Sequence, residues 1–491
     1  MTILELLKRG VETKKNNLAL VYRDQHITYG QLYESIQQTI REFRKLGLRK
    51  GDKVVLLVNS DYSFVNYFFS LTSIGCIVIP LDLNIREELY SIIHDSEATA
   101  IVIYETLVDE RVISKLSSSK LRYIINENYI HSNYKDYQIL GNALLTHDGI
   151  GESEEVVSDD LLCFIYTSGT IKEPKGVMLT HHNLLFNIQE LRDVIDVDEK
   201  DVFFNVLPFF HCYGLCTNLL LPLSIGATIV LHDNKNLNDI VRHIQKWNTT
   251  VFSCVPTMLE KIKNMINQDM KHIKFISSGA PLPYSVVKYY YEKNDIQIIN
   301  AYGSSETNTI AVNKNCYYSK QHSVGTLLPS LQTKIVDEDG NELAYGQEGE
   351  ILLKTPKLMR GYYNLTKETE EVLRDSWFYT GDIGYVLEIR ELFITGRKKE
   401  MFCVAGKKVF KHDVEEILMQ SGYFKDVLVE AESNVSRGDL IIAKVVLNDE
   451  TTINEEQILR YCRRKMSAHK VPKKIIICEH LIKKKTWKMM V

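Results

Sequence analysis

The chain has 491 residues, too many for one ordinary core, and its length argues for roughly three folding units. A hydrophobic fraction of 45% with 25% charged residues is that of a folded globular chain, which excludes a disordered tail protein and argues against a membrane protein. Lys and Arg total 59 against 63 Asp and Glu, a formal charge of -4, so the chain offers no basic field to a nucleic-acid backbone, and nucleic acid is not expected as a partner.

Residues 1–16 mix charge into their apolar positions from Glu5 onward and lack the continuous apolar region of an export signal. Helical periodicity follows over residues 31–46, a strand over 53–58, a helix over 64–74 and a strand over 76–81. The alternation returns as strands at 98–103, 227–231 and 250–255, with a helix over 236–247. Repeated helix-then-strand units predict an α/β architecture with parallel strands. The longest apolar stretch, 219–231, is interrupted by Pro222, Ser224, Gly226 and Thr228 and is shorter than the ~20 residues a bilayer span takes. Around 333–353 the pattern changes to short strands and turns, which predicts a small antiparallel, barrel-like subdomain. From 397 a strand, a helix over 412–418, two strands and a helix through Arg464 predict a smaller α+β unit, entered through the charged run Gly396-Arg397-Lys398-Lys399-Glu400. The nine cysteines are scattered singly, Cys212 and Cys216 being the closest pair, with no zinc-site spacing. An odd count fits a closed disulfide set poorly, so a reducing cytoplasm is expected.

Chemistry concentrates first at residues 164–183. A strand feeds Thr167, Ser168, Gly169 and Thr170, then Lys175 and Gly176, a loop able to turn backbone N–H groups, hydroxyls and an ammonium toward a polyphosphate. It is not the GxxxxGK[ST] pattern, which disfavours a P-loop ATPase, and a plain surface turn has the same composition. The segment resembles the phosphate loop of the adenylate-forming superfamily, YTSGTTGxPKGVxxTHxN, with Ile171 and Lys172 replacing Thr and Gly.

The resemblance continues in order along nearly the whole chain. Residues 207–214 (LPFFHCYG) are similar to the family segment whose histidine, here His211, lies beside the acyl pocket. Residues 276–282 (ISSGAPL) resemble the segment lining that pocket, and Gly279, Ala280, Gly303 and Gly325 are the small residues implied to shape it. Residues 301–307 (AYGSSET) resemble the family's YGxTE motif, which implies nucleotide contacts at Tyr302 and Gly303, a hydroxyl at Ser305 and a Mg²⁺-binding carboxylate at Glu306. A hard oxygen ligand suits an ion shared with phosphates. In residues 377–385 the resemblance implies that Asp382 accepts from both ribose hydroxyls, and in 394–410 that Arg397 contacts ribose and phosphate. It further implies a domain hinge at Lys399 and a thiol-acceptor tunnel loop around Gly406, while residues 481–490 place Lys488 at the catalytic C-terminal lysine. Departures fall mostly at turns: Ile389 and Arg390 for Asp-Gly, Lys411 for Pro, and Ile482, Lys484 and Trp487 for Pro, Thr and Gly.

The implied fold is a large N-terminal domain of layered αβαβα sheets with the small barrel-like piece, residues 1–396, and a mobile α+β domain, residues 397–491. The implied activity is ATP- and Mg²⁺-dependent acyl-adenylate formation from a small carboxylic acid, releasing pyrophosphate. Transfer to a thiol follows, either coenzyme A or the phosphopantetheine of an acyl carrier protein. Luciferase-type oxygenation and a nucleotide-binding regulator with little turnover are the competing readings. No Asp aligns where amino-acid-activating relatives hold an α-amino group, so an uncharged acid is expected, fatty rather than aromatic.

Overall fold

The computed structural model describes residues 1–85, 87–103, 120–126, 138–140, 155–167, 174–232, 236–320, 322–404, 407–432, 439–449 and 451–481. Their contacts group into two compact units, one built on Met1–Gln332 with Lys354–Phe378, the other on Thr333–Leu353 with Tyr379–Lys485.

The first unit carries two sheets. One is seven-stranded, in the order Gln138–Leu140, Tyr123–Asn126, Ala100–Ile103, Lys53–Leu57, Ile77–Pro80, Leu161–Thr167 and Lys175–Thr180. Its strands run parallel until the last pair, which turns back on itself as a hairpin. Continuous apolar runs explain the parallel part, since strands covered on both faces need no polar alternation. Val54, Val55, Leu56 and Leu57 are all buried, each contributing about 1.5–3 kcal/mol of burial free energy.

The other sheet of this unit runs Gln25–Thr28, Leu18–Tyr22, Thr228–Leu231, Val202–Asn205, Val251–Cys254, Lys274–Ser278, Ile298–Ser304, Asn308–Asn313 and Ser323–Leu327. Its central strands are parallel, and the turn at residues 305–307 starts an antiparallel end. Helices start where side chains satisfy the first backbone donors, with reciprocal caps at Thr2 with Glu5, Thr28 with Gln31 and Thr180 with Asn183.

In the second unit, Gln332–Val336, Gly349–Lys354, Trp377–Val386 and Glu391–Arg397 neighbour one another in that order, the last pair antiparallel. The predicted Asp-Gly turn between that pair is instead made with Arg390 at φ 63°, a left-handed position that costs a non-glycine residue roughly 1–2 kcal/mol. A hairpin, Met401–Val404 with Lys407–Phe410, precedes a three-stranded sheet of Phe424–Glu432, Leu440–Leu447 and Lys474–Ile477. Helices Lys411–Met419 and Glu455–Lys465 bury Val414, Leu418, Ile458 and Cys462 in the same core as that sheet. Lys411 opens its helix, where the family's proline would also fit, and its ammonium lies 3.6 Å from Glu415. The sequence division at 396/397 therefore differs from the compact units, which group residues 333–353 and 379–396 with the C-terminal part.

Among the described residues no helix is long and apolar enough to cross a membrane. All nine cysteines are thiols; Cys403 is exposed, Cys478 half-buried and the other seven buried.

Candidate active site

The loop predicted to hold phosphate is the tip of the hairpin Leu161–Thr167/Lys175–Thr180, closed by the pairs Tyr166↔Gly176 and Thr167↔Lys175. Hairpin geometry thus sets Thr167 opposite Lys175 at the mouth of the loop. Ser168, Gly169 and Thr170, with Ile171 and Lys172, lie outside the described residues.

The second hairpin tip is residues 305–307, between Ile298–Ser304 and Asn308–Asn313. The register shifts between Tyr302 and Gly303, an irregularity of the kind that re-aims side chains beside active sites. Gly303 is required here, because a Cβ would lie 2.1 Å from the Asn308 carbonyl oxygen. The buried Thr307 braces the turn, with its hydroxyl 3.0 Å from that of Ser304, while Ser305 and Glu306 remain partly exposed.

Residues 355–363 bring the two tips together, and sequence reasoning did not single them out. Met359 N donates to Glu306 O at 2.8 Å, Met178 N to Gly361 O at 3.0 Å, and Tyr363 N to Gly176 O at 2.9 Å. Gly361 sits at φ 138°, beyond the reach of ordinary side chains, and delivers Tyr362 between the hairpins. The Tyr362 hydroxyl donates to Glu306 Oε1 at 2.9 Å, and the Lys175 ammonium lies 4.7 Å from the centre of the same ring. Burial first, then the Glu306 carboxylate, push the Tyr362 hydroxyl above the usual tyrosine range, so it acts as a donor at neutral pH.

Lys357 anchors this segment. Fully buried, it donates to Thr309 O at 2.6 Å and to Glu190 Oε2 at 2.8 Å, while Ser330 N and Oγ donate to the two Glu190 oxygens at 2.8 and 2.9 Å. Asn308 Nδ2 in turn donates to Lys357 O at 3.2 Å.

The histidine segment reaches the same turn. Cys212 Sγ lies 4.0 Å from Ser305 O and Cys216 Sγ 3.7 Å from Asn308 Oδ1, which seats His211 and the following π-helix, Gly214–Leu220, against residues 305–308. Single π-helical stretches often mark functional sites. Burial above all drives the Cys212 thiol well above its ordinary range, so it packs and does not act as a nucleophile. Tyr213 donates to Ile276 O at 2.9 Å, tying the segment to the strand that ends at Ser278. Gly279 and Ala280 follow that strand, whose parallel neighbour carries Tyr302 and Gly303 through the pairs Ser277↔Asn300 and Ser278↔Ala301. Gly325 lies on Ser323–Leu327, across the Val312↔Thr326 pair. The small residues named for the acyl pocket therefore cluster at the carboxyl ends of parallel strands and the antiparallel strands beside them, the usual place for a ligand in an open α/β sheet.

In the second unit, Asp382 is 5% exposed and cross-strand from Arg397, whose Nε donates to Oδ1 at 2.8 Å. Arg397 keeps most of its side chain in solvent, 61% exposed, and so can reach a ligand while holding Asp382. Lys399 is exposed in the turn Lys398–Glu400, beside Lys398, which pairs with Glu350 at 2.7 Å. The candidate tunnel loop is the tip of the hairpin closed by Val404↔Lys407. Gly406 at that tip, and Lys488 with Ile482, Lys484 and Trp487, lie outside the described residues.

No group of three or more His, Cys, Asp or Glu that could hold a metal occurs among the described residues. Glu306 still fits magnesium, which is commonly held by one or two carboxylates together with substrate phosphates. Tyr362 engages one of its oxygens and leaves the other for a hard cation.

Comparison with known proteins shows the family and the fold. The AMP-binding enzyme family profile matches residues 7–363, and the AMP-binding enzyme C-terminal domain profile matches residues 413–488. The long-chain-fatty-acid–CoA ligase of Salmonella typhimurium is 27% identical over 526 aligned positions, spanning 100% of this chain and 93% of the relative. The 4-coumarate–CoA ligase-like 6 protein of Arabidopsis thaliana is 30% identical, over 91% of this chain and 81% of its own length. In fold the chain is similar to ATP-bound MatB from Rhodopseudomonas palustris, with TM-score 0.86, 24% identity and 99% and 96% of the two chains covered. It is likewise similar to Bacillus subtilis o-succinylbenzoate CoA synthetase in complex with its acyl-adenylate, with TM-score 0.84, 22% identity and 97% and 94% coverage. With one profile covering most of its length and a second covering the C-terminal part, the chain belongs to the AMP-binding enzymes of the adenylate-forming superfamily.

Proposed function

We propose that the protein activates an uncharged carboxylic acid in two half-reactions, as an AMP-forming acid–thiol ligase. A carboxylate is a poor electrophile, because oxide is a bad leaving group at neutral pH. Its attack on the α-phosphate of ATP expels pyrophosphate and yields a mixed anhydride from which AMP leaves readily. A thiolate then attacks the acyl carbon, forming the thioester and releasing AMP.

The observation that carries this reading is the meeting of Lys175 and Glu306 on the one side chain of Tyr362, the ammonium at its ring and the carboxylate at its hydroxyl, at the tips of two hairpins. Glu306, together with the phosphates, would hold magnesium, and the ion would supply neutralisation of the charge on the triphosphate and the departing pyrophosphate. Lys175, with the hydroxyls and N–H groups of residues 167–170, binds and orients the triphosphate. Ser305 adds a hydroxyl at the same turn, and Tyr302 and Gly303 border the nucleotide. Asp382 accepts from the ribose hydroxyls, with Arg397 orienting it. His211, Gly279, Ala280 and Gly325 border the acyl group, and Lys488 supplies the second cation of the adenylation step. The C-terminal part, residues 397–491, turns at Lys399 between the half-reactions, bringing the tip around Gly406 to the thiol channel.

The relatives named as CoA ligases support coenzyme A as the acceptor over a carrier protein's phosphopantetheine. They support a fatty or aromatic acid, and we place the fatty acid first. The nine thiols are in keeping with action in a reducing cytoplasm.

The test is ATP–pyrophosphate exchange with straight-chain fatty acids of increasing length and with cinnamic-type acids. Exchange is expected only with Mg²⁺ and an acid present, and Glu306→Gln lowers it by ~10² or more. Folded protein that binds ATP yet exchanges with none of these acids overturns the ligase reading.

A further inference from the structure

Tyr362 is 7% exposed and its backbone is bound on several sides. Its own N–H donates to Thr369 Oγ1 at 2.9 Å, and its neighbours bond to Gly176 and Glu306 themselves, the residues beside and beneath the two charges it touches. A side chain held this way cannot drift from either hairpin. Its phenol hydroxyl meets Glu306 while its ring meets Lys175, so one neutral side chain contacts both the ammonium and the carboxylate. One hydrogen bond restricts the Glu306 carboxylate to an orientation with one oxygen engaged, and the ring contact holds the Lys175 ammonium beside the same side chain. Hydrogen-bonded supports of this kind commonly account for 10–100-fold in metal affinity.

We propose that Tyr362 is a positioning residue for nucleotide and cation together: its hydroxyl orients Glu306 for magnesium, and its ring holds Lys175 ready for phosphate. The inference rests on Glu306 being the magnesium carboxylate. Two substitutions separate its halves. Tyr362→Phe keeps the ring and removes the hydroxyl, whereas Tyr362→Leu removes both.

The experiment is calorimetric titration of the full-length protein with ATP, without any acid, once with Mg²⁺ and once with EDTA, so that the readout is affinity and not turnover. Tyr362→Phe is expected to weaken binding about tenfold with Mg²⁺ and to match wild type in EDTA. Tyr362→Leu is expected to weaken binding under both conditions. Tyr363→Phe serves as the control: its hydroxyl donates to Glu97 at 3.0 Å and its ring stacks on Phe164, so both affinities stay at the wild-type value. Tyr362→Phe binding MgATP as tightly as wild type, or losing equal affinity in EDTA, overturns the inference while leaving the reading of Glu306 intact. Wild-type binding indifferent to Mg²⁺ removes the metal role of Glu306 and the inference with it.

Discussion

The buried Lys357–Glu190 pair gives the segment holding Tyr362 its most demanding anchor, and its removal has a predictable size. Burial pulls the Lys357 ammonium below the usual lysine range, while the Glu190 carboxylate works to hold it up. Lys357→Met keeps most of the stem volume but deletes two charge-assisted hydrogen bonds, to Thr309 O and to Glu190. Glu190 then keeps only its Ser330 donors, and the Thr309 carbonyl loses its lysine donor. At about 1.5–3 kcal/mol for each bond to a charged group, less the desolvation no longer needed for the ammonium, we expect a loss of about 3 kcal/mol. Glu190→Gln should cost a similar amount by leaving the ammonium without its carboxylate. The double variant Glu190→Gln/Lys357→Met buries neither charge and should recover at least ~1–2 kcal/mol of the summed single losses. Urea unfolding followed by circular dichroism measures all three, and hydrogen exchange across Asn308–Asn313 reports the strand that Lys357 holds. A single variant within ~0.5 kcal/mol of wild type, or losses that simply add, would refute the pair's role as anchor.

Two further outcomes are expected. His181 is pushed from 6.5 down to about 4, first by burial and also by the terminal amine and Lys50, against the opposing pull of Asp160 and Glu5. Its Nδ1 accepts from Ile3 N at 3.2 Å, which requires the neutral ring. Because the unfolded chain takes up this proton below pH 6.5 and the folded one only near 4, about 3 kcal/mol of stability, present above pH 6.5, should be lost as pH falls across that window. His181→Asn keeps an acceptor that does not titrate and should flatten this acid limb in urea midpoints measured from pH 7 to 4.5; a parallel decline in both proteins removes His181 as the cause. For the two half-reactions, Lys488→Ala should depress adenylate formation by ~10²–10³ yet still convert synthetic acyl-adenylate to thioester, and Lys399→Pro should do the reverse by fixing φ at the turn. Equal loss of both halves in both variants would contradict the rotation.

The parallel-sheet architecture was legible because its signals are local. The runs at Lys53–Leu57 and Thr228–Leu231 are continuous and apolar, and caps such as Asn236 mark where helices begin. The strand-order reversal at residues 305–307 was not legible, since antiparallel pairing after a parallel run depends on partners distant in sequence. Arg390 shows a related limit. A turn that usually takes glycine forms with arginine at positive φ when the flanking strands are already paired, so substitution in a turn motif does not by itself signal a lost turn.

At the site, the chemically distinctive groups announced themselves through motifs, and the groups that hold them in place did not. Lys175, Glu306 and Asp382 stand in or beside segments rich in glycine, serine and threonine (TSGTIKEPKG, YGSSET and YTGD), whose composition marks them for attention. Lys357 lies in an ordinary-looking Lys-Thr-Pro-Lys run, and only its burial against Glu190, Ser330 and Thr309 distinguishes it from a solvated lysine. Cys212 and Cys216 read as scattered thiols, yet both pack on the turn that carries Glu306. Tyr362 offered a faint signal, two aromatic residues following a glycine, but a glycine-aromatic step is equally common in a plain bend. What separates the two cases is the register of residues 359–363 against two hairpins at once, and that is a property of the assembled fold. A ligand-binding group can be named from its chemistry alone, whereas a group that places it must be found from the contacts it makes, which is why Tyr362 emerged only when Lys175 was seen at its ring and Glu306 at its hydroxyl.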